Sequence, residues 1–96
     1  MVTRIVKLSI KPKYKKEFIA LFLNYKNKIT LSKGCKSVEL LQEENAGDIF
    51  FTYSIWDSNQ DLENYRNSKL FAEIWPTVKR LFNAKAQAWT VENLSN

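Results

Sequence analysis

The segment Ile49–Asp57, IFFTYSIWD, constrains this chain more than any other stretch. It alternates as a strand does, yet both alternating sets are apolar. Ile49, Phe51, Tyr53 and Ile55 fall on one side, Phe50 and Trp56 on the other. Strand side chains point to opposite faces with a period of two, so this strand needs cover on both faces. Three other segments read as strands. In residues 2–11, Val2, Val6, Leu8 and Ile10 share a face with Arg4. Thr3, Lys7, Ser9 and Lys11 lie opposite, with Ile5 as the exception. In residues 35–44, Val38 and Leu40 share a face, with Glu39 and Leu41 opposite. In residues 84–92, Trp89 and Val91 share one.

Two helical patterns lie between these strands. Phe18, Leu21, Phe22, Tyr25 and Ile29 recur at steps of three and four within residues 13–31. Leu62, Tyr65, Phe71, Ile74, Val78, Leu81 and Phe82 continue such a stripe from Ser58 to residue 82. Pro12 ends the first strand and precedes a helix, Gly34 suits the turn after it, and Asn45-Ala46-Gly47-Asp48 reads as a turn. Ser58 with Asp61 forms a capping-box-like pattern. Asn67-Ser68 marks a break with Ser68 recapping the chain, and Pro76 is expected to kink or restart the second segment.

The order β-α-β-β-α-β is an α+β, ferredoxin-like arrangement: a four-stranded antiparallel sheet with both helices on one face. Residues 1–96 then form a single domain. Helices on one face leave the other face of the third strand in water, which soluble monomers rarely tolerate. Two sheets docked face to face would hide it in a dimeric α/β barrel with an isologous interface. A homodimer is therefore expected. The last strand is a candidate to extend the partner's sheet.

Composition narrows the chemistry. The chain has no histidine, so the commonest general base, metal ligand and nucleophile activator is missing. Cys35 is the one cysteine, which excludes an intrachain disulfide and a cysteine metal cluster, and it reads as a buried apolar residue. No GxGxxG or Walker A loop occurs. The net charge of +5 is uneven: residues 1–36 hold ten Lys or Arg against Glu17 (+9), and residues 37–96 hold five against nine acids (−4). This basic half could attract an anion, but it carries no recognisable nucleic-acid module, so nucleic acid is not the expected partner. No apolar run approaches a membrane span, and Met1 leads directly into a strand pattern. A cytoplasmic location without membrane contact is expected.

Three stretches, GCKSVELLQEE, IFFTYSIWDSNQDLENYRNSKLF and AQAWTVE, resemble the antibiotic biosynthesis monooxygenase domain of the dimeric α/β-barrel superfamily. The resemblance spans nearly the whole chain. Its mark is a strand ending in Trp-Asp-Ser followed by a helix with aromatic residues, here Trp56, Tyr65 and Phe71. It implies a homodimer with one small-molecule pocket per subunit between sheet and helices. Some members are similar to cofactor-independent oxygenases of phenolic or quinol compounds; others degrade haem, isomerise or bind metabolites, and fold alone does not choose. The haem-degrading branch uses an Asn, a Trp and a ligating His, and the matching positions here are Val6, Tyr65 and Trp75. A second branch carries a His near Ser68–Leu70, which is also missing here. No cofactor is expected.

The expected pocket lining is aromatic, with Phe22, Tyr25, Tyr53, Tyr65, Phe71 and Trp75 over a floor of Val6, Leu8 and Leu40. Each of these is also an ordinary core residue by pattern. Arg66 could stabilise a phenolate or be a solvated helix residue, and Arg4 is a second candidate. Tyr53 and Tyr65 could donate hydrogen bonds or relay protons, so Arg66, Tyr65 and Tyr53 are the candidate catalytic residues. A phenol with a pKa near 10 is a poor base at neutral pH unless its environment lowers that value. Asn64 and Asn67 could orient a carbonyl or simply sit on the helix surface. The sequence offers no strong general base. Three readings stay open: an oxygenase acting on a small aromatic or quinol compound, a non-catalytic dimeric binding module and, least expected, anion or nucleic-acid binding through the lysine-rich half.

Overall fold

The computed structural model describes residues 1–45 and 47–95. Ala46, expected within a turn, lies outside the described residues. Four strands, β1 (Val2–Ser9), β2 (Cys35–Gln42), β3 (Ile49–Trp56) and β4 (Gln87–Val91), alternate with helices α1 (Lys15–Thr30), α2 (Asn59–Arg66) and α3 (Lys69–Lys79). The sheet order is β2-β3-β1-β4, with every neighbouring pair antiparallel. The fold is the expected ferredoxin-like one. In the single chain the sheet is open rather than a closed barrel.

Local chemistry accounts for the boundaries. Pro12 opens a short 3-10 turn that leads into α1, where its fixed φ and missing N–H cost nothing. Ser58 Oγ accepts from Asp61 N at 3.1 Å and Ser68 Oγ from Phe71 N at 3.1 Å. These two caps divide the second helical stretch into α2 and α3, as the Asn67-Ser68 break predicts. Of the kink or restart expected at Pro76, the restart does not occur: α3 runs through it from Lys69 to Lys79. Ile74 and Val78 on either side of it are buried in the core. Their packing offsets the ladder hydrogen bond that a proline forgoes. Gly34 takes φ +82°, and a Cβ there would run into the Asp61 side chain, so the turn into β2 needs glycine for conformation and for space.

The predicted strands run slightly long. β1 stops at Ser9, and Ile10 leaves the ladder to bridge Phe82. Lys11 N donates to Leu81 O at 2.9 Å and Asn83 N to Ser9 O at 3.0 Å, which ties the end of α3 to the end of β1.

The core lies between the sheet and the helices. Phe50, Trp56, Phe18, Ile10 and Leu81 are its largest fully buried side chains. Phe18 and Phe50 pack with ring centroids 5.0 Å apart. Trp56 is buried with its indole satisfied, Nε1 donating to Ser54 Oγ at 3.0 Å. Cys35 is half-buried rather than fully buried, because it stands at the start of edge strand β2 beside a register shift.

The other sheet face carries no helix. The register sets Trp89 beside Ile5, Ile5 beside Tyr53, and Phe51 beside Leu41. Trp89 is 46%, Leu41 49% and Val91 39% exposed. The amphipathic mismatch of the sequence is thus present in the fold.

Candidate functional site

A cavity of about 370 Å³ lies within the helix–sheet layer. Its floor comes from all four strands: Arg4, Val6 and Leu8 of β1, Val38 of β2, Thr52, Ser54 and Trp56 of β3, and Ala88 of β4 with Ala86 just before it. Its roof comes from Phe18, Phe22 and Ile29 of α1, from Leu62, Tyr65 and Arg66 of α2, and from Phe71, Ile74, Trp75 and Val78 of α3. The space is open because of side-chain size. Ala88 sits opposite Val6 in the β1–β4 register. Alanine there fills little space, and Ala88 is itself exposed, so the cavity opens toward solvent along β4. Close-packed interiors leave few voids this size, so the cavity reflects a local choice of small residues.

The roof aromatics form a connected series. Trp56 stacks on Tyr65 at 5.0 Å, Tyr65 meets Phe71 edge-on at 5.4 Å, Phe71 stacks on Trp75 at 5.8 Å, and Trp75 meets Phe82 edge-on at 5.6 Å. These separations are those of favourable aromatic pairs. Along this series only Phe71 and Trp75 are near-parallel, at 11°.

Arg4, Tyr65 and Arg66 are the ionisable side chains among the described lining residues. Burial pushes the Tyr65 phenol up to about 12, with a smaller contribution from nearby Cys35. Tyr65 is therefore a neutral hydrogen-bond donor at physiological pH, not a proton acceptor. Burial also raises the Cys35 thiol, which makes that cysteine a weak nucleophile. Arg4 is held across the sheet by Thr90, its neighbour in register, with Nη1 donating to Thr90 Oγ1 at 3.0 Å. Its pKa is lowered chiefly by burial and then by Arg66, against an opposing effect of Glu63. A guanidinium stays charged through such a shift. Arg66 Nη1 lies 3.4 Å from Glu63 Oε2 in an exposed pair, an arrangement that contributes little and leaves the guanidinium free to turn.

The structure brings Val6, Leu8, Phe22, Tyr65, Arg66, Phe71 and Trp75 together around one cavity, and Arg4 with them. It separates three others. Tyr53 lies on the helix-free face beside Thr3, Ile55 and Met1. The period of two places it opposite the buried Phe50 and Trp56, so it cannot reach the cavity. Tyr25 is buried in the core with its ring under Lys28, and it does not line the cavity. Leu40 packs against the core from edge strand β2, on the far side of β3 from β1 and β4. Asn64 and Asn67 are exposed: Asn64 pairs with Gln60 and Asn67 with the Glu63 carbonyl.

Sequence reasoning missed Thr52, Ser54, Ala86 and Ala88. Alternation from Phe50 and Trp56 identifies the first two. The alanines carry no signal of their own, since a gap is visible only once β4 is paired to β1. Among the described residues no three His, Cys, Asp or Glu come together as a metal site, and no helix is long and apolar enough to cross a membrane.

A family model described as antibiotic biosynthesis monooxygenase matches residues 1–75. Solved structures superpose over nearly the full chain at low identity. A Nitrosomonas europaea structure bearing the same family name is 16% identical, with TM-score 0.89, covering 98% of this chain and 99% of that one. A conserved protein from Methanosarcina mazei is 21% identical, with TM-score 0.89 and coverage of 97% and 93%. A Mycobacterium tuberculosis protein is 18% identical, with TM-score 0.86 and coverage of 97% and 94%. At these identities the likeness establishes a shared fold. No curated protein matches the chain.

Proposed function

The chain belongs to the antibiotic biosynthesis monooxygenase family, and from that premise we propose that it is a cofactor-independent monooxygenase, working as a homodimer on a small aromatic or quinol-type compound. The observation that carries this reading is the cavity itself: about 370 Å³, walled by stacked aromatics, with two guanidiniums on its lining. Small-molecule sites are mostly apolar with a few placed polar groups, and this volume lies at the small end of their range.

In such a reaction the substrate supplies the electrons. Once deprotonated it reduces oxygen directly; one oxygen atom ends in the product and the other in water. The protein's tasks are to exclude water, to favour the anion and to hold the ring. Phe71 and Trp75 provide an apolar aromatic wall. Arg66 and Arg4 favour the anion over the neutral substrate, which lowers the cost of its ionisation. Tyr65 donates a hydrogen bond. Since Tyr65 holds its own proton, the substrate's proton leaves to solvent at the Arg66 side, where the lining is exposed.

The dimer supplies the missing cover. Two copies docked through the helix-free faces bury Trp89, Leu41 and Val91, and the edge of β4 meets the partner. Trp89→Lys should shift the sedimentation profile at micromolar concentration from dimer to monomer. A monomeric parent protein would remove the dimer from this reading.

Oxygen uptake with a panel of anthrones and quinols tests the activity. The expected result is consumption that Arg66→Ala and Trp75→Ala reduce at least tenfold. No uptake with any member, in a folded protein, overturns it. One observation favours a second reading: the described lining holds no proton acceptor. A non-catalytic binding module predicts saturable binding of the same compounds without oxygen consumption.

A further inference from the structure

The cavity mouth carries an unbalanced charge. Arg4 rises from the sheet floor and Arg66 descends from α2, and both line the same apolar space. The pair interact unfavourably, since Arg66 lowers the pKa of Arg4 while Glu63 alone opposes it. Glu63 itself is exposed and pairs with Arg66 at 3.4 Å. Two positive groups against one carboxylate leave one net positive charge beside a wall of Trp75 and Phe71. Arg4 has one hydrogen-bond partner among the described residues, Thr90 Oγ1 at 3.0 Å. Most of its donors are therefore available, because a guanidinium carries five.

We propose that the ligand of this cavity is an aromatic carboxylate, its carboxyl group bridged between Arg4 and Arg66 and its ring laid against Phe71 and Trp75. This rests on the reading of the cavity as a ligand site and adds the class of ligand. The planar fork of a guanidinium matches a carboxylate's two oxygens, which a phenolate offers only singly. A carboxylate is also ionised before it binds, so it relieves the repulsion between the two arginines in the resting complex. A phenol would first have to lose its proton. Thr90 is a positioning residue in this arrangement, fixing Arg4 from the neighbouring strand so that the fork points inward.

Calorimetric titration of the full chain with 2-naphthoate and with 2-naphthamide tests the proposal, since the two share ring and shape and differ in charge. The expected result is that naphthoate binds at least about tenfold more tightly, a difference one charge-assisted bidentate pair can supply. Arg66→Gln, at an exposed position that folding tolerates, should remove most of that preference, weakening naphthoate far more than naphthamide. Arg4→Lys, which keeps the charge and loses the fork, should remove part of it. Glu63→Gln should strengthen naphthoate binding. Thr90→Val should weaken naphthoate and spare naphthamide. Equal affinity for acid and amide overturns the proposal, as does binding of neither or an acid preference that survives both arginine substitutions. Its failure is separable from that of the oxygenase reading. Acid-selective binding without oxygen consumption sinks the oxygenase alone, and oxygen consumption with neutral compounds and no acid preference sinks the carboxylate alone.

Discussion

The helix–sheet layer has two unlike regions. Where β1 ends, Ile10, Phe50 and Leu81 meet at 1% exposure or less, and backbone bonds from Lys11 and Asn83 tie α3 to β1. Beneath the middle of α3, Ala86 and Ala88 face Trp75 and Phe71 across open space. Both regions belong to one sheet and one set of helices, and both use large apolar side chains. The difference lies in what stands opposite them. Large against large makes a core; large against alanine makes a cavity. A small fold thus keeps a cavity by packing closely at one end and forgoing packing contacts at the other.

Five substitutions would break or sharpen this contrast. The largest effect is expected at the packed end. Phe50→Ala should cost about 3–5 kcal/mol, the usual penalty for emptying an aromatic core site, read from urea unfolding. A loss below about 1 kcal/mol would show that this end is not the stabilising one. Next is Tyr65 on the cavity lining, whose phenol rises from 10.0 to about 12. A raised folded pKa means the neutral form is favoured in the fold. Its stabilising effect is complete below pH 10 and is lost as pH rises through about 12, on the order of 2–3 kcal/mol. Melting temperatures between pH 9 and 11.5 should fall less steeply for Tyr65→Phe than for the parent. Parallel curves would refute the burial of that phenol.

Filling the cavity comes third. Ala88→Leu should leave unfolding free energy within about 1 kcal/mol of the parent, because the new side chain enters existing space. The same change should abolish ligand binding. Retained binding would place the site elsewhere. The smallest effect is expected at the cap that starts α3. Ser68→Ala should cost about 1 kcal/mol, since one N–H loses its partner, and it should weaken ligand binding more than Ser58→Ala does. Equal effects of the two cap changes on binding would show that α3 does not set the cavity roof.

Much of the fold was legible before any coordinates. Alternation placed the strands within two or three residues, and both serine caps lie where the pattern put them. At Pro76 the helix does not restart, because the burial of Ile74 and Val78 around it, which local rules cannot see, holds α3 together. The candidate site was legible in part. Val6, Leu8, Phe22, Tyr65, Arg66, Phe71 and Trp75 share the cavity, but Tyr53 does not. A strand apolar on both faces gives no sign of which face meets the helices, and aromatic character alone was a poor guide there. Arg4 and Thr90 stand 86 positions apart and meet across a ladder, which no local window contains.

The sequence by itself determined the order of elements, the faces they bury and the surplus of apolar surface on β3, because these depend on periodicity and on caps a few residues long. Only the tertiary structure decided that a void remains and which charges border it. Those are properties of register between distant strands: pairing β4 to β1 sets alanines under α3 and aims Arg4 at the space beneath Arg66. A shift of that register by one residue would turn Ala88 to the other face and bring Trp89 inward.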